Sequence, residues 1–145
     1  MKRPIKFKRV FQHSETGRIC MKLWGNLNHK YEDCDDFSSF ISPAQLSSYY
    51  PVADLQFTEL KNQGGKEIFE GDILRTLHYR TESEVRYLFH KVVYDNKRAT
   101  FNAINLLNKD DLLTTNRNCF LYVALKDETC EVVGNIFENP EHLKP

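Results

Sequence analysis

The stretch from Leu55 to Leu74, LQFTELKNQGGKEIFEGDIL, restricts the fold of this chain more than any other. A short apolar strand runs into a Gly-Gly turn, and a second strand follows it. Gly64 and Gly65 are expected to supply the positive backbone dihedrals of a tight turn, because they lack the Cβ that makes such dihedrals costly. Ile68, Phe69, Ile73 and Leu74 are the apolar residues that would follow the turn into a core. Between them, Glu70-Gly71-Asp72 interrupts the run where a strand bends or begins again. The chemistry of the stretch is architectural, and none of it is an obvious catalyst.

The rest of the chain reads as further strands. Ile5 to Phe11 opens with apolar and basic residues in alternation, so Ile5 and Phe7 are expected on the core side and Lys6 and Lys8 in solvent; past Arg9 the register is less clear. Ser14 to Gly17 reads as a hairpin turn with Gly17 left-handed, and Arg18 to Trp24 as the returning strand. Gly25 to Tyr50 is irregular. Within it, Ser42-Pro43 has the form of a helix start, giving one or two short helical turns over Pro43 to Ser48. VRYLFHKVVY, Val85 to Tyr94, is dense in β-formers and should be a central strand. Asp95-Asn96-Lys97 turns it into Arg98 to Ile104, with Ala99, Phe101 and Ala103 on one face. Lys109-Asp110-Asp111 could cap a helical turn within a long connection. Cys119 to Lys126 is expected to be a strand, and Cys130 to Phe137 the last one, with Gly134 allowing a bend or close backbone approach.

Composition narrows the class. A chain of 145 residues can bury a core without disulfide staples. Lys and Arg number 20, as do Asp and Glu, so the formal net charge is zero and there is no global pull toward nucleic acid or membrane. The basic start, Met1 to Arg9, lacks the apolar core of a secretion signal, and no run approaches the roughly 20 apolar residues of a membrane span. The expected location is therefore the cytoplasm. Cys20, Cys34, Cys119 and Cys130 form no CxxC pair and read as free buried thiols. A metal site would have to draw on scattered residues such as His13, His29 and Cys34. The acidic run around His29 and Glu32 to Asp36 has the character of a solvated loop, and no cofactor is expected.

Two segments carry a resemblance. GGKEIFEGDIL, preceded by LQFTELK, and the later EVVGNIFENPEHL from Glu131 to Leu143 are similar in order and content to the two signatures of the YopX family of phage and prophage proteins. Ile5-Lys6-Phe7-Lys8 also fits that family's opening strand. Glu59 stands where the family has glycine, and Asn62-Gln63-Gly64 replaces its Asp-Lys-Asn, which points to a differently built turn. The resemblance covers both ends of the chain better than its interior. It implies a mainly β protein with a small SH3-like β-barrel, encoded by a phage or prophage in a bacterial host cell. On that reading residues 1–145 form one domain, with the N-terminal hairpin at about 4–25 added to a barrel core at about 54–140. The family carries no activity to transfer, and no catalytic residue is carried over.

The residues themselves leave three functional classes open. The leading expectation is a non-enzymatic accessory or interaction protein, whose partner is another protein or a second copy of itself. Trp24, Tyr49 and Tyr50 are candidate anchors for such contacts. The second class is a nucleic-acid-binding barrel. Lys6, Lys8, Arg75, Arg80 and Arg86 would contact phosphates, with Arg9, His78, Tyr79 and Tyr87 alongside. The third is a hydrolase using the carboxylates of Glu67, Glu70 and Asp72. Against it, Asp72 can bond backbone groups beside Gly71, and Glu67 and Glu70 can pair with lysines. His90 reads as a structural or surface histidine, since no acid or nucleophile stands at a recognisable spacing.

Overall fold

The computed structural model describes residues 6–25, 32–33, 48–106 and 118–143. The chain divides between Phe57 and Thr58 into two units, and strand β4 runs through the division. It is mainly β, and one of its two antiparallel sheets is a half-barrel.

The first unit contains β1 (Lys6–His13), β2 (Ile19–Gly25), β3 (Glu32–Asp33) and most of β4 (Tyr49–Lys61), in the sheet order β3-β2-β1-β4. The expected β1–β2 hairpin is present. Gly17 sits at φ 72°, and its N–H donates to the His13 carbonyl at 3.0 Å. The His13 side chain adds to the turn, with Nδ1 accepting from the Glu15 and Thr16 N–H groups.

The expected facing of β1 is overturned at Lys8, which is buried. Val10 is fully buried and fixes the inner face, and Lys8 shares that face two residues away. Leu23 and Leu55 are its cross-strand neighbours, so its aliphatic stem belongs to an apolar row. A bulge between Val10 and Phe11 in the pairing with β4 then lets Phe11 turn inward beside Val10. Ile5, the helical turn at 43–47 and the one at 109–111 lie outside the described residues.

In the second unit, the end of β4 pairs with β5 (Glu67–Phe69). A separate sheet runs β10-β6-β7-β8-β9, built from β6 (Asp72–Arg80), β7 (Val85–Asp95), β8 (Thr100–Asn105), β9 (Cys119–Phe120) and β10 (Glu131–Asn135). The β-former run thus occupies the central strand, as expected. Ile68, Leu74, Val92, Leu121, Leu125 and Cys130 form the buried cluster, against which Leu60, Phe101 and Val132 pack.

Three further expectations are corrected. Cys119 to Lys126 is not a strand: β9 stops at Phe120, and Leu121–Ala124 is a short helix, α1. The helical spacing sends Leu121 and Leu125 into the core and leaves Tyr122 and Val123 exposed. In the Gly-Gly turn, only Gly65 has a positive φ, at 86°. The Asn62 side chain does the rest, accepting from Lys66 N–H at 2.9 Å and donating to the Cys130 carbonyl at 3.2 Å. Ala99 lies in the turn before β8 with φ 51°, so of the expected face only Phe101 and Ala103 are on the strand.

Glu59, where the family has glycine, carries φ 68° within β4. The Thr58 hydroxyl bridges this break, donating to the Ile68 carbonyl at 2.7 Å and accepting from Leu60 N–H at 3.2 Å. A Cβ in the left-handed region costs about 1–2 kcal/mol, partly offset by the entropy that glycine loses on folding. Glu59→Gly is therefore expected to raise stability by about 0.5–1 kcal/mol. Urea unfolding checks this; a midpoint unchanged or lowered would show that Glu59 gains as much from its surroundings as it loses in strain.

The two segments that carry the family resemblance meet at one corner of the second unit. Gly71, at φ 84°, donates its N–H to the Val92 carbonyl at 2.8 Å and accepts from Ile136 N–H at 2.9 Å. Asp72 pairs with Asn135, and Ile73 with Gly134. Buried Asn135 accepts from Phe137 and Glu138 N–H groups through Oδ1, and Asn139 Oδ1 accepts from Asn135 N–H. Gly134 is required here, since a Cβ would lie 2.5 Å from Asn139 Cγ.

Candidate functional site

The β6–β7 hairpin gathers Arg75, Arg80, Arg86, His78, Tyr79 and Tyr87, whereas Lys6, Lys8 and Arg9 belong to the first unit. Lys6 lies over the Phe57 ring at 4.6 Å, and Arg9 pairs with Asp54 at 2.8 Å. Lys8 is buried and cannot serve as a phosphate contact on the surface.

Strand alternation sorts the hairpin residues by face. Directly paired residues of an antiparallel ladder point the same way. Leu74, Thr76, Leu88, His90 and Val92 are buried and define the inner face. Arg75 pairs with Phe89, Leu77 with Tyr87 and Ile73 with Lys91, so Arg75, Tyr87 and Lys91 belong to the outer face, which is covered at its Ile73 end, where Ile73 is fully buried, and open toward Val85 and Tyr87. A bulge between Leu77 and Tyr79 changes the parity beyond it. Past that point Arg80 and Val85 continue the outer face, while Tyr79 and Arg86 continue the inner one.

The two faces are electrostatically different. On the inner side, Arg86 bonds Glu84 at 2.9 Å and lies over the Tyr79 ring at 5.7 Å, while Tyr79 donates to Glu84 at 3.0 Å. The bond from Arg86 holds the Glu84 carboxyl below its ordinary range, and desolvation together with the bond to Glu84 raises Tyr79. That triad is satisfied internally. On the outer side, Arg75 lies over Tyr87 at 4.6 Å and pairs with Glu131 at 3.2 Å, while Arg80 is exposed and Lys91 half-buried. Tyr87 and Val85 are exposed in the same area. Lys91 was absent from the sequence-derived set, although it falls in the 87, 89, 91 alternation opposite buried Leu88, His90 and Val92. A second exposed aromatic pair stands at the β9–α1 junction, where Phe120 and Tyr122 stack at 5.8 Å with Lys126 over Tyr122.

Of the proposed protein-contact anchors, Tyr50 is exposed and donates to Gln12 at 3.1 Å, and Tyr49 packs edge-on against His13.

The carboxylate and metal readings find no assembled site among the described residues. Asp72 is buried and accepts from Phe69 N–H at 2.8 Å, the backbone role expected of it, while Glu67 and Glu70 are half-buried beside it in the chain. No group of three or more His, Cys, Asp and Glu among the described residues is placed to hold a metal ion, and His29 and Cys34 lie outside those residues. Cys20, Cys119 and Cys130 are free, with burial pushing the Cys130 thiol up to about 12. No helix of the described residues is long and apolar enough to cross a membrane.

His90 is structural and buried, with Nδ1 lacking a hydrogen-bond partner among the described residues. Desolvation lowers its pKa, so the folded protein resists a proton that the unfolded chain accepts near pH 6.5. Its stabilising effect is complete above that value and is lost as the pH falls toward and through the lower folded pKa, by at most about 1.4 kcal/mol per pH unit. Urea unfolding at pH 7.5 and 5.5 should show a larger acid loss for wild type than for His90→Leu. Equal losses would mean that His90 does not titrate differently on folding.

The corner built from the two signatures, and the sheet around it, agree with comparison to known families. The YopX protein family profile matches residues 10–144. The chain belongs to the YopX family. The crystal structure of protein EF1440 from Enterococcus faecalis is similar to this YopX family member at 22% identity and a TM-score of 0.50, covering 98% of this chain and 100% of that one. At that identity the likeness speaks for the fold alone. No curated protein matches the chain.

Proposed function

We propose that this YopX family member is a phage- or prophage-encoded binding module, itself a small SH3-like barrel, that acts in the host cytoplasm without catalysis of its own. The observation that carries the reading is the contrast between corner and face. Within the signature segments, Asp72 and Asn135 are buried and engaged with backbone N–H groups. The outer face of β6 and β7 instead presents Tyr87 and Val85 to solvent with cations around them. Exposed aromatics beside cations are the ordinary composition of a contact surface.

Photo-crosslinking in host lysate tests the reading with wild type and Tyr87→Ala run side by side. A protein or nucleic acid recovered by wild type and lost from the variant is the expected result. Identical recovery by both would remove this face as the binding surface.

A further inference from the structure

We propose that the outer face of β6 and β7 binds single-stranded nucleic acid, with Tyr87 as the stacking residue and Arg75, Arg80 and Lys91 as the phosphate contacts. The inference rests on the binding-module reading and names its ligand. Its starting point is the sorting of charge by the bulge at Leu77/Tyr79. On the inner side the Arg86 charge is matched by Glu84. On the outer side Arg75, Arg80 and Lys91 meet two strand carboxylates, Glu131 paired with Arg75 and Asp95 bonded to Asn102 at the far end of β7, with Glu82 in the exposed loop beyond. Around Tyr87, away from Asp95, Arg75 and Arg80 against Glu131 leave a cationic excess in a chain whose net charge is zero.

The aromatic component sits within this charge. The Arg75 guanidinium covers part of the Tyr87 ring, yet the residue remains 38% exposed, which leaves ring surface for a base. Bases stack on such rings irrespective of sequence, and neighbouring cations follow the backbone. A sheet face offers this to an unpaired strand, whose bases can splay onto it. A duplex keeps its bases stacked inside, out of reach of Tyr87. Successive outer-face residues of β7 stand about 6.8 Å apart, so Tyr87 and Lys91, with Phe89 between them, lie about 14 Å apart along one line that an extended strand can follow.

Fluorescence anisotropy with labelled single-stranded DNA and RNA dodecamers, and the matching duplexes, tests the proposal at low and moderate salt. Wild type is expected to bind the single strands at micromolar protein. The logarithm of its affinity should fall against the logarithm of salt with a slope of about −1.4 to −2.1, as two or three phosphate contacts require. Tyr87→Leu should weaken binding about tenfold. Glu131→Gln should strengthen it roughly two- to fivefold, because an opposing charge is gone; a misfolded variant could not produce that gain. Arg98→Ala, in the β7–β8 turn, should bind as wild type does. The proposal is overturned if neither wild type nor Glu131→Gln binds single strands at about 100-fold higher protein than expected here. It is also overturned if duplexes bind more tightly, or if Tyr87→Leu binds unchanged. A Tyr87-dependent protein partner in the lysate experiment, with no oligonucleotide binding, would retain the binding module and reject this ligand.

Discussion

Gly134→Ala is expected to cost about 2–4 kcal/mol, combining overpacking with a lost, partly buried hydrogen bond. The added methyl would lie 2.5 Å from Asn139 Cγ and 2.9 Å from its Cβ, so rotation of the amide alone cannot make room. Asn139 must move bodily, and its Oδ1 then leaves the Asn135 N–H that it accepts from. Urea unfolding should show a lower midpoint with an unchanged slope. Gly64→Ala is the comparison: its Cβ would approach Asn62 Oδ1 at an ordinary 3.4 Å, without a positive φ, and should change little. Adding Asn139→Ala to Gly134→Ala should recover part of the loss, since the contacts with Oδ1 and Cγ go while the one with the residue 139 Cβ and the missing hydrogen bond remain. Equal stability of Gly134→Ala and wild type would contradict the tight corner.

Leu121→Ala should cost about 2–4 kcal/mol, because Leu121 is only 1% exposed within the core cluster. Val123→Ala, on the exposed side of α1, should stay within about 0.5 kcal/mol of wild type. The pair separates two readings of CFLYVALK. A strand would put Leu121 and Val123 on one face and make both truncations costly. A helix makes only the first costly. Unfolding curves for the two variants decide it.

What could be read from sequence in this chain was local turn chemistry and strong strand pattern. Gly17 and Gly71 adopt positive φ where a turn and a strand break demanded it, and VRYLFHKVVY became the central strand. The failures have physical sources. At CFLYVALK, β-forming residue types concealed the Leu121/Leu125 helical spacing, and the long-range core won over local preference. At Lys8, the stem of a charged residue is accepted in an apolar row, so counting charges as outward gave the wrong face. At the glycine pair, the Asn62 side chain replaced a second special backbone conformation. The candidate site was half legible. Arg75, Arg80 and Arg86 do share a hairpin, but the bulge that separates Arg86 from the other two leaves no mark in the residue pattern, and Lys91 was passed over inside a run read for its β propensity.

The meeting of Gly71 with Ile136 also orders events in time. The two partners are separated by the whole of β6 to β10, so their hydrogen bond closes a long loop and contributes to a high contact order. During synthesis, β6, β7 and β8 emerge and can pair while the Gly71 carbonyl still awaits its donor. A ribosome-held chain stopped before Glu131 would lack both that donor and β10, and would carry an unfinished edge on β6, open to whatever strand or chaperone is at hand. The corner is therefore a closing latch, fastened only after nearly all of the second unit has left the exit tunnel.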